Sequence, residues 1–260
     1  MARRPGRLAA AALLVAMRMA LADGIPPGGR LSGRVQMGAQ LRAMQDDDAA
    51  NPATLWVLEG EALWNAGTGA TGKACADCHG DATMSMKGVA VRQPSFDATA
   101  GRPVDLEQRI QRCRAERQGG TPWTFESREL LALTAWVARQ SRGLPIAPDE
   151  DARMEPFVES GRILYERRQG AVDLACRHCH DLHWGRRLAG NPIPQGHPTA
   201  YPLYRLEWQG LGSLQRRLRA CMASLRAEPY PHASQELVNL EAYLMRRARG
   251  MTWESPGVRP

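Results

Sequence analysis

The sequence predicts an all-α chain of two tandem helical units behind an N-terminal extension, and three observations carry that prediction. Apolar residues recur at helical spacing with no strand pattern of any length between them. The second half repeats the order of parts of the first, and the six cysteines fall three to each half. A chain of 260 residues has room for two small domains.

In chain order, residues 1–22 read as a cleaved secretory leader. Arg3, Arg4 and Arg7 precede an apolar run from Leu8 to Met17, and Ala20-Leu21-Ala22 supplies a small-x-small cleavage site. That run is too short to cross a bilayer, and no other stretch approaches the required length, so no membrane span is expected. Residues 23–52 are rich in Gly, Pro and polar side chains and end in Met44-Gln45-Asp46-Asp47-Asp48 and Asn51-Pro52. An ordered extension or wrapping arm with at most a short helix is expected there. The first unit, 53–147, opens with a helix through Leu55, Trp56, Val57, Gly60, Leu63 and Trp64. It continues through a Pro/Gly-rich loop to a helix at Leu106–Cys113 and closes with another at Glu129–Arg142. Gly143, Pro145 and Pro148 stop that helix, which places the boundary near 148 and the second unit at 148–260.

The repeat is residue-specific. Val57, Glu59, Gly60, Leu63 and Trp64 answer to Val158, Glu159, Gly161, Leu164 and Tyr165. Leu106, Arg109, Ile110 and Cys113 answer to Leu214, Arg217, Leu218 and Cys221. In the closing helices Leu130, Leu133, Ala135 and Trp136 answer to Leu237, Leu240, Ala242 and Tyr243.

Each unit holds a C-x-x-C-H element, Cys75-Ala-Asp-Cys78-His79 and Cys176-Arg-His-Cys179-His180. Two thiols at this spacing add across porphyrin vinyl groups, and the adjoining histidine is placed to bind the iron. A zinc or redox C-x-x-C is the alternative for one copy, but two copies in a repeated context argue against it. Two covalently bound haem c groups are therefore expected, with His79 and His180 as axial ligands. The order of parts is that of two tandem cytochrome-c-like domains. Only three Phe and 6% aromatic residues suit cores completed by a flat apolar cofactor.

Cys113 and Cys221 remain, one per unit at equivalent places. A Cys113–Cys221 disulfide or an inert buried thiol is one reading; a sulfur ligand on the haem face opposite His79 or His180 is the other. Methionine usually takes that place, but the methionines do not recur between the units and these cysteines do. Arg217 precedes Cys221 by one helical turn, suited either to a sulfonate oxygen beside the sulfur or to a surface or haem-propionate contact. Arg109 stands equivalently before Cys113. Residues 211–226 carry Arg216, Arg217, Arg219 and Arg226 with no acid, whereas Asp105, Glu107 and Glu116 offset the arginines of residues 103–118, so an anion is expected at the second site. His178, His183, His197 and His232 have no counterparts and read as surface or hydrogen-bonding residues.

The formal charge of +7 includes Arg3, Arg4, Arg7 and Arg18 in the leader, which leaves a mildly basic mature chain and no call for nucleic-acid binding. Three functions suit a dihaem chain of this kind: a sulfur transferase, a plain electron carrier whose cysteines only tune potential, and a peroxidase with a displaceable sixth ligand.

Over nearly the whole mature sequence the chain resembles the SoxA family, the dihaem c-type subunits of the sulfur-oxidising SoxAX complex. The residues that carry the likeness are the arm at 44–52, Leu55-Trp56-Val57, Gly60-Glu61, both haem elements, Arg112-Cys113-Arg114, and Arg217 with Cys221-Met222. The resemblance implies L-cysteine S-thiosulfotransferase activity, in which thiosulfate is joined oxidatively to a cysteine of the carrier SoxYZ and electrons pass through haem to a small c-type cytochrome. It implies that Cys221 is a persulfide-bearing nucleophile as well as a ligand, that Arg217 binds substrate, and that Cys113 ligates the first haem. It also implies a monohaem SoxX-like partner and a periplasmic location.

Overall fold

From the N-terminal side, residues 25–260, which this computed structural model describes, form α1 (Ala39–Asp46), α2 (Thr54–Asn65), the short α3 (Ala76–His79) and α4 (Ala82–Ser85). A hairpin of β1 (Ser95–Asp97) and β2 (Arg102–Val104) leads into α5 (Leu106–Gln118) and α6 (Arg128–Arg139). Then come α7 (Glu155–Glu166), α8 (Cys176–His180), a hairpin of β3 (Arg187–Leu188) and β4 (Asn191–Pro192), β5 (Leu203–Arg205), β6 (Gly210–Gly212), α9 (Leu214–Ser224), α10 (Gln235–Arg247) and β7 (Gly257–Arg259). The leader expected over 1–22 lies outside the described residues.

Two equivalent helix pairs carry the frame, α2 on α6 and α7 on α10. Each crosses at a glycine. A Cβ on Gly60 would lie 2.1 Å from the Ala132 carbonyl oxygen and 2.7 Å from Trp136 Cβ; on Gly161 it would lie 2.0 Å from the Asn239 oxygen and 2.9 Å from Tyr243 Cβ. The helices approach backbone to backbone, so only hydrogen fits. Leu130 and Leu237, at equivalent places on α6 and α10, are fully buried, each contributing about 1.5–3 kcal/mol by leaving water. Ser127 and Ser234 start these helices by accepting from the Leu130 and Leu237 amides. Asp105 and Ser213 do the same for α5 and α9.

The sequence-based expectation of a strictly all-α chain is corrected here. The described residues are mainly helical but include short strands, the largest group being a sheet in the order β6-β5-β7, antiparallel between β5 and β6 and parallel between β5 and β7. These strands run to two or three residues, too few for alternation to show. The last strand is also tied to the arm. Gln45 of α1 is buried and accepts from the Val258 amide at 3.0 Å, and Asn51 donates to the Pro256 carbonyl at 3.2 Å.

The halves share apolar core: Ala90, Val91, Ala138 and Ile146 pack with Met245, Ala248 and Trp253. The Trp253 indole N–H donates to the Ala138 carbonyl at 3.1 Å. Beside this core the N-termini of α5 and α9 meet around a cavity of about 70 Å³ lined by Asp105, Glu107, Gln215 and Glu241 among others. Gln215 donates to Asp105 at 2.9 Å. Burial raises the Asp105 carboxyl to about 6, and burial with the neighbouring carboxyl charges raises Glu107 and Glu241 too.

Two predictions follow from this packing. Gly161→Ala should destabilise the fold by about 1–3 kcal/mol or more through overpacking, whereas Gly38→Ala, with nothing within 4 Å, should stay within about 0.5 kcal/mol; chemical denaturation of both variants reads the difference. For the acid cluster, the folded chain holds protons that the unfolded chain releases near the ordinary carboxyl value. Its stabilising contribution is complete below about pH 4; the part from Asp105 is lost as pH rises through about 6, and the parts from Glu107 and Glu241 are lost as pH rises through their own raised values. Glu241→Gln should therefore flatten the fall in stability across that window, which melting curves at stepped pH would show.

Candidate functional site

The second C-x-x-C-H folds as α8, a single turn that sets Cys176 and Cys179 on one face with His180 next to them. Its start is held by His178, whose Nδ1 accepts from the Ala175 amide at 2.8 Å. In the first element Asp77 does this work, accepting from the Ala74 amide at 2.8 Å. Beyond His180, Asp181 accepts from Tyr165 Oη at 2.8 Å and pairs with Arg247. That largely buried network fixes both ends of the motif.

His180 Nδ1 donates to the Pro194 carbonyl at 2.7 Å, which assigns the tautomer and leaves Nε2 with its lone pair for a metal. Gly196, at φ +75, lies behind the ring; a Cβ there would be 3.1 Å from His180 Cγ and Nδ1. This backing segment is itself braced by the arm. Gln36 donates to the Ile193 carbonyl at 2.9 Å, and the Leu31 amide donates to Gln195 at 2.7 Å.

Cys221 lies on α9 in front of His180, within its hydrogen-bonding reach. Burial alone would push this thiol up; the His180 bond and the charges of Arg217, His180 and Arg205 outweigh it and hold it below the ordinary thiol value. Cys176, by contrast, is pushed up to about 12 by burial and then by the neighbouring Cys221. Cys179 is raised by burial and by Cys221 as well, so the third sulfur faces both motif thiols. The first unit repeats the grouping: Cys113 acts on Cys75, and Cys78 acts on Cys113. All six cysteines are free, and no Cys113–Cys221 bridge forms. Paired vinyl-reactive thiols, a histidine with a free Nε2 and a facing sulfur are the donor set that a covalently held haem with two axial ligands requires, and the residues fit it.

The two sites differ in three ways. His79 is exposed, stands 5.7 Å from the Trp64 ring and, among the described residues, has no counterpart of the Pro194 bond. Cys113 is raised by burial and then by Cys78, opposite in direction to Cys221. Arg109 is fully engaged, donating to Ser95 Oγ at 2.8 Å and facing Asp97 at 3.5 Å. Arg217 makes no such bond or ion pair among the described residues, and its positive charge is spent on Cys221 and on the Tyr201 hydroxyl.

Of the other arginines near Cys221 in sequence, Arg216 stacks 4.3 Å over Trp208 and faces Glu126 at 3.8 Å. Arg219 is tied to the Tyr230 carbonyl. His183 bonds its neighbour's carbonyl, and His232 stacks on Phe125. Sequence reasoning missed Pro194, Gly196, Tyr201 and Arg205. They lie on the long segment between α8 and α9, where no periodicity or repeat marks them.

Comparison with known proteins agrees with this geometry. The SoxA/TsdA cytochrome c domain family matches residues 59–146 and 160–253. The L-cysteine S-thiosulfotransferase subunit SoxA of Pseudaminobacter salicylatoxidans is 37% identical, covering 93% of this chain and 85% of that one. The SoxA subunit of Rhodovulum sulfidophilum is 34% identical over 84% and 76%. A crystal structure of SoxXA from P. pantotrophus superposes with a TM-score of 0.85 at 30% identity, covering 89% of this chain and 87% of that one.

Gly196→Ala tests the His180 backing. The strained φ costs about 1–2 kcal/mol and the new methyl group displaces the ring, so the visible spectrum of the haem-loaded chain should change; an unchanged spectrum would show that the backing is dispensable.

Proposed function

Because the chain belongs to the SoxA/TsdA cytochrome c family, we infer that it is a SoxA subunit of an L-cysteine S-thiosulfotransferase, joining thiosulfate to a cysteine of a SoxYZ-like carrier in sulfur oxidation. The observation that carries this reading is the uncommitted Arg217 beside a thiol held below its ordinary pKa, directly in front of His180. An electron carrier needs neither feature.

Both C-x-x-C-H elements have the same donor grouping, so each half binds one haem c: Cys75 and Cys78 with His79 and Cys113 in the first, Cys176 and Cys179 with His180 and Cys221 in the second. The halves act as tandem cytochrome-c-like domains. Haem c supplies, when bound, the one-electron acceptor beside the reacting sulfur.

Arg217 holds the sulfonate of thiosulfate and turns its sulfane sulfur toward the sulfur terminus of Cys221, which carries an extra sulfur in its persulfide form. Coupling these two sulfurs forms one S–S bond and releases two electrons, which a haem c held by Cys176, Cys179, His180 and Cys221 would accept one at a time and a small c-type cytochrome would remove. The carrier thiolate, having lost its proton to solvent, then attacks the sulfane sulfur. The bond between that sulfur and the outer persulfide sulfur breaks, the persulfide of Cys221 leaves as an anion, and the carrier keeps the S–S–sulfonate. The sum is carrier thiol plus thiosulfate dianion giving the carrier S-thiosulfonate monoanion, one proton and two electrons. A leaving sulfur of low basicity favours the second step, and the surroundings of Cys221 supply that.

A monohaem SoxX-like cytochrome is the expected partner, since the P. pantotrophus relative is a SoxXA complex. The leader motif at Arg3 to Ala22 supports export to the periplasm. No described helix is long and apolar enough to cross a membrane.

Cys221→Ser should lower carrier-dependent thiosulfate turnover by roughly three orders of magnitude. Arg217→Gln should raise KM for thiosulfate about tenfold to a hundredfold, as loss of a charge-assisted bond to an anion does. Intact mass should show a gain of about 32 Da localised to Cys221. Turnover that survives Cys221→Ser, or that needs no carrier thiol, would leave only a plain electron carrier.

A further inference from the structure

Arg217 alone leaves the anion site half built. Its partner is not among the neighbouring arginines of α9, since Arg216 and Arg219 are otherwise engaged. It comes from β5. Arg205 ends that strand between Gly210 of β6 and Arg259 of β7, and its side chain is only 11% exposed. One face lies 5.2 Å over Trp208, and Nη2 reaches the exposed Glu207 at 2.9 Å. Its Nε is buried with no hydrogen-bond partner, which is costly for a charged donor unless a ligand completes it. Arg259, next in the register, is already paired with Glu254 at 2.6 Å.

Arg205 and Arg217 are close enough for the charge of each to be felt at Cys221, and Arg217 together with burial makes the charged form of Arg205 harder to keep. Two guanidiniums beside one thiol, balanced only by a carboxylate out in solvent, make a site for a small dianion. The Tyr201 hydroxyl lies within the field of the same three groups, Arg217, Cys221 and Arg205.

We propose that Arg205 is the second substrate-anchoring residue, clasping the sulfonate of thiosulfate opposite Arg217 so that the sulfane sulfur projects toward Cys221, with Tyr201 donating to a remaining oxygen. This rests on the transferase reading above and adds to it the residue that makes the site divalent. A lone Arg217 binds a sulfonate by one edge and leaves its rotation free. A second guanidinium on a different element fixes the sulfur–sulfur axis, and the pair selects a dianion over monoanions of similar size.

The test uses the haem-loaded chain with its partner cytochrome. Wild type, Arg205→Gln, Arg205→Lys and Glu207→Gln are compared for thiosulfate KM and kcat in the carrier-coupled assay. Calorimetry gives thiosulfate Kd without the carrier, and the haem spectrum and midpoint potentials are recorded. Arg205→Gln should raise both KM and Kd about tenfold or more, lower kcat at saturation about threefold to tenfold as the sulfur–sulfur axis is freed, and leave the spectrum unchanged. Arg205→Lys, which keeps the charge and guards against a folding defect, should fall between. Glu207→Gln should leave KM equal or lower. KM and Kd unchanged in Arg205→Gln would overturn the proposal, as would a shifted potential with an unchanged Kd, which would mark Arg205 as a haem-propionate partner. If wild type shows no carrier-dependent turnover, the transferase reading fails instead, while the Kd comparison still decides whether Arg205 binds the anion.

Discussion

The bond from His180 Nδ1 to the Pro194 carbonyl is the constraint on which the second site depends. A neutral imidazole has one donor and one acceptor nitrogen, so occupying Nδ1 as donor dictates that Nε2 faces Cys221 with a free lone pair. The carbonyl cannot hold that position unaided, because it belongs to a segment of loop. Gly196 lets that loop close against the ring, and Gln36 and the Leu31 amide hold it from the arm side. The arm thus reaches the chemistry at second hand. It braces the residues that orient the histidine, and Gln45 and Asn51 join the same arm to the strand that lies beside Arg205.

The two halves hold equivalent helix crossings, and they differ in what surrounds the third cysteine. The helix crossings at Gly60 and Gly161 match to a few tenths of an ångström, and the cysteine helices start at equivalent caps, Asp105 and Ser213. What surrounds the third cysteine does not match. Arg109 is engaged by Ser95 and Asp97, while Arg217 makes no such bond or ion pair among the described residues. Both motif histidines sit on short helices, and among the described residues His180 is the one with a carbonyl behind it. Burial raises the Cys113 thiol, whereas His180 and the arginines hold Cys221 down, and the proposed role of Cys221 rests on that contrast.

The parts readable in the sequence are those whose determinants are close together in it. The C-x-x-C-H elements, the helix with Arg217 one turn before Cys221, and the paired glycines all follow local periodicity or internal repetition, and the structure brings the predicted side chains together at each motif. The acid count points to the second cysteine helix, and charge composition over one helix survives folding: α9 carries no acid, while α5 carries Glu107 and Glu116. The short strands escaped, since two or three residues carry no period. Pro194, Gly196, Tyr201 and Arg205 escaped for a different reason. They act from a segment that has no counterpart in the first half, and their partners are set by how that segment folds back rather than by spacing. His178 illustrates the converse: set apart in sequence as lacking a counterpart, it does the capping work that Asp77 does in the first half.

The placement of charge is what the proposed anion site rests on, since the sequence without its leader is only mildly basic. Most arginines are spent within the fold: Arg247 on Asp181, Arg259 on Glu254, Arg142 on Asp48, Arg216 on Trp208 and Glu126. Each such pairing removes a competing positive surface and leaves its field short-ranged. Around Cys221 the balance is withheld, because α9 contains no acid and the nearest carboxylate on β5's side, Glu207, points into solvent where water screens it. A dianion approaching Cys221 therefore meets positive charge that is partly buried and only weakly answered among the described residues. Net charge sets solubility; the local deficit of carboxylates sets what binds.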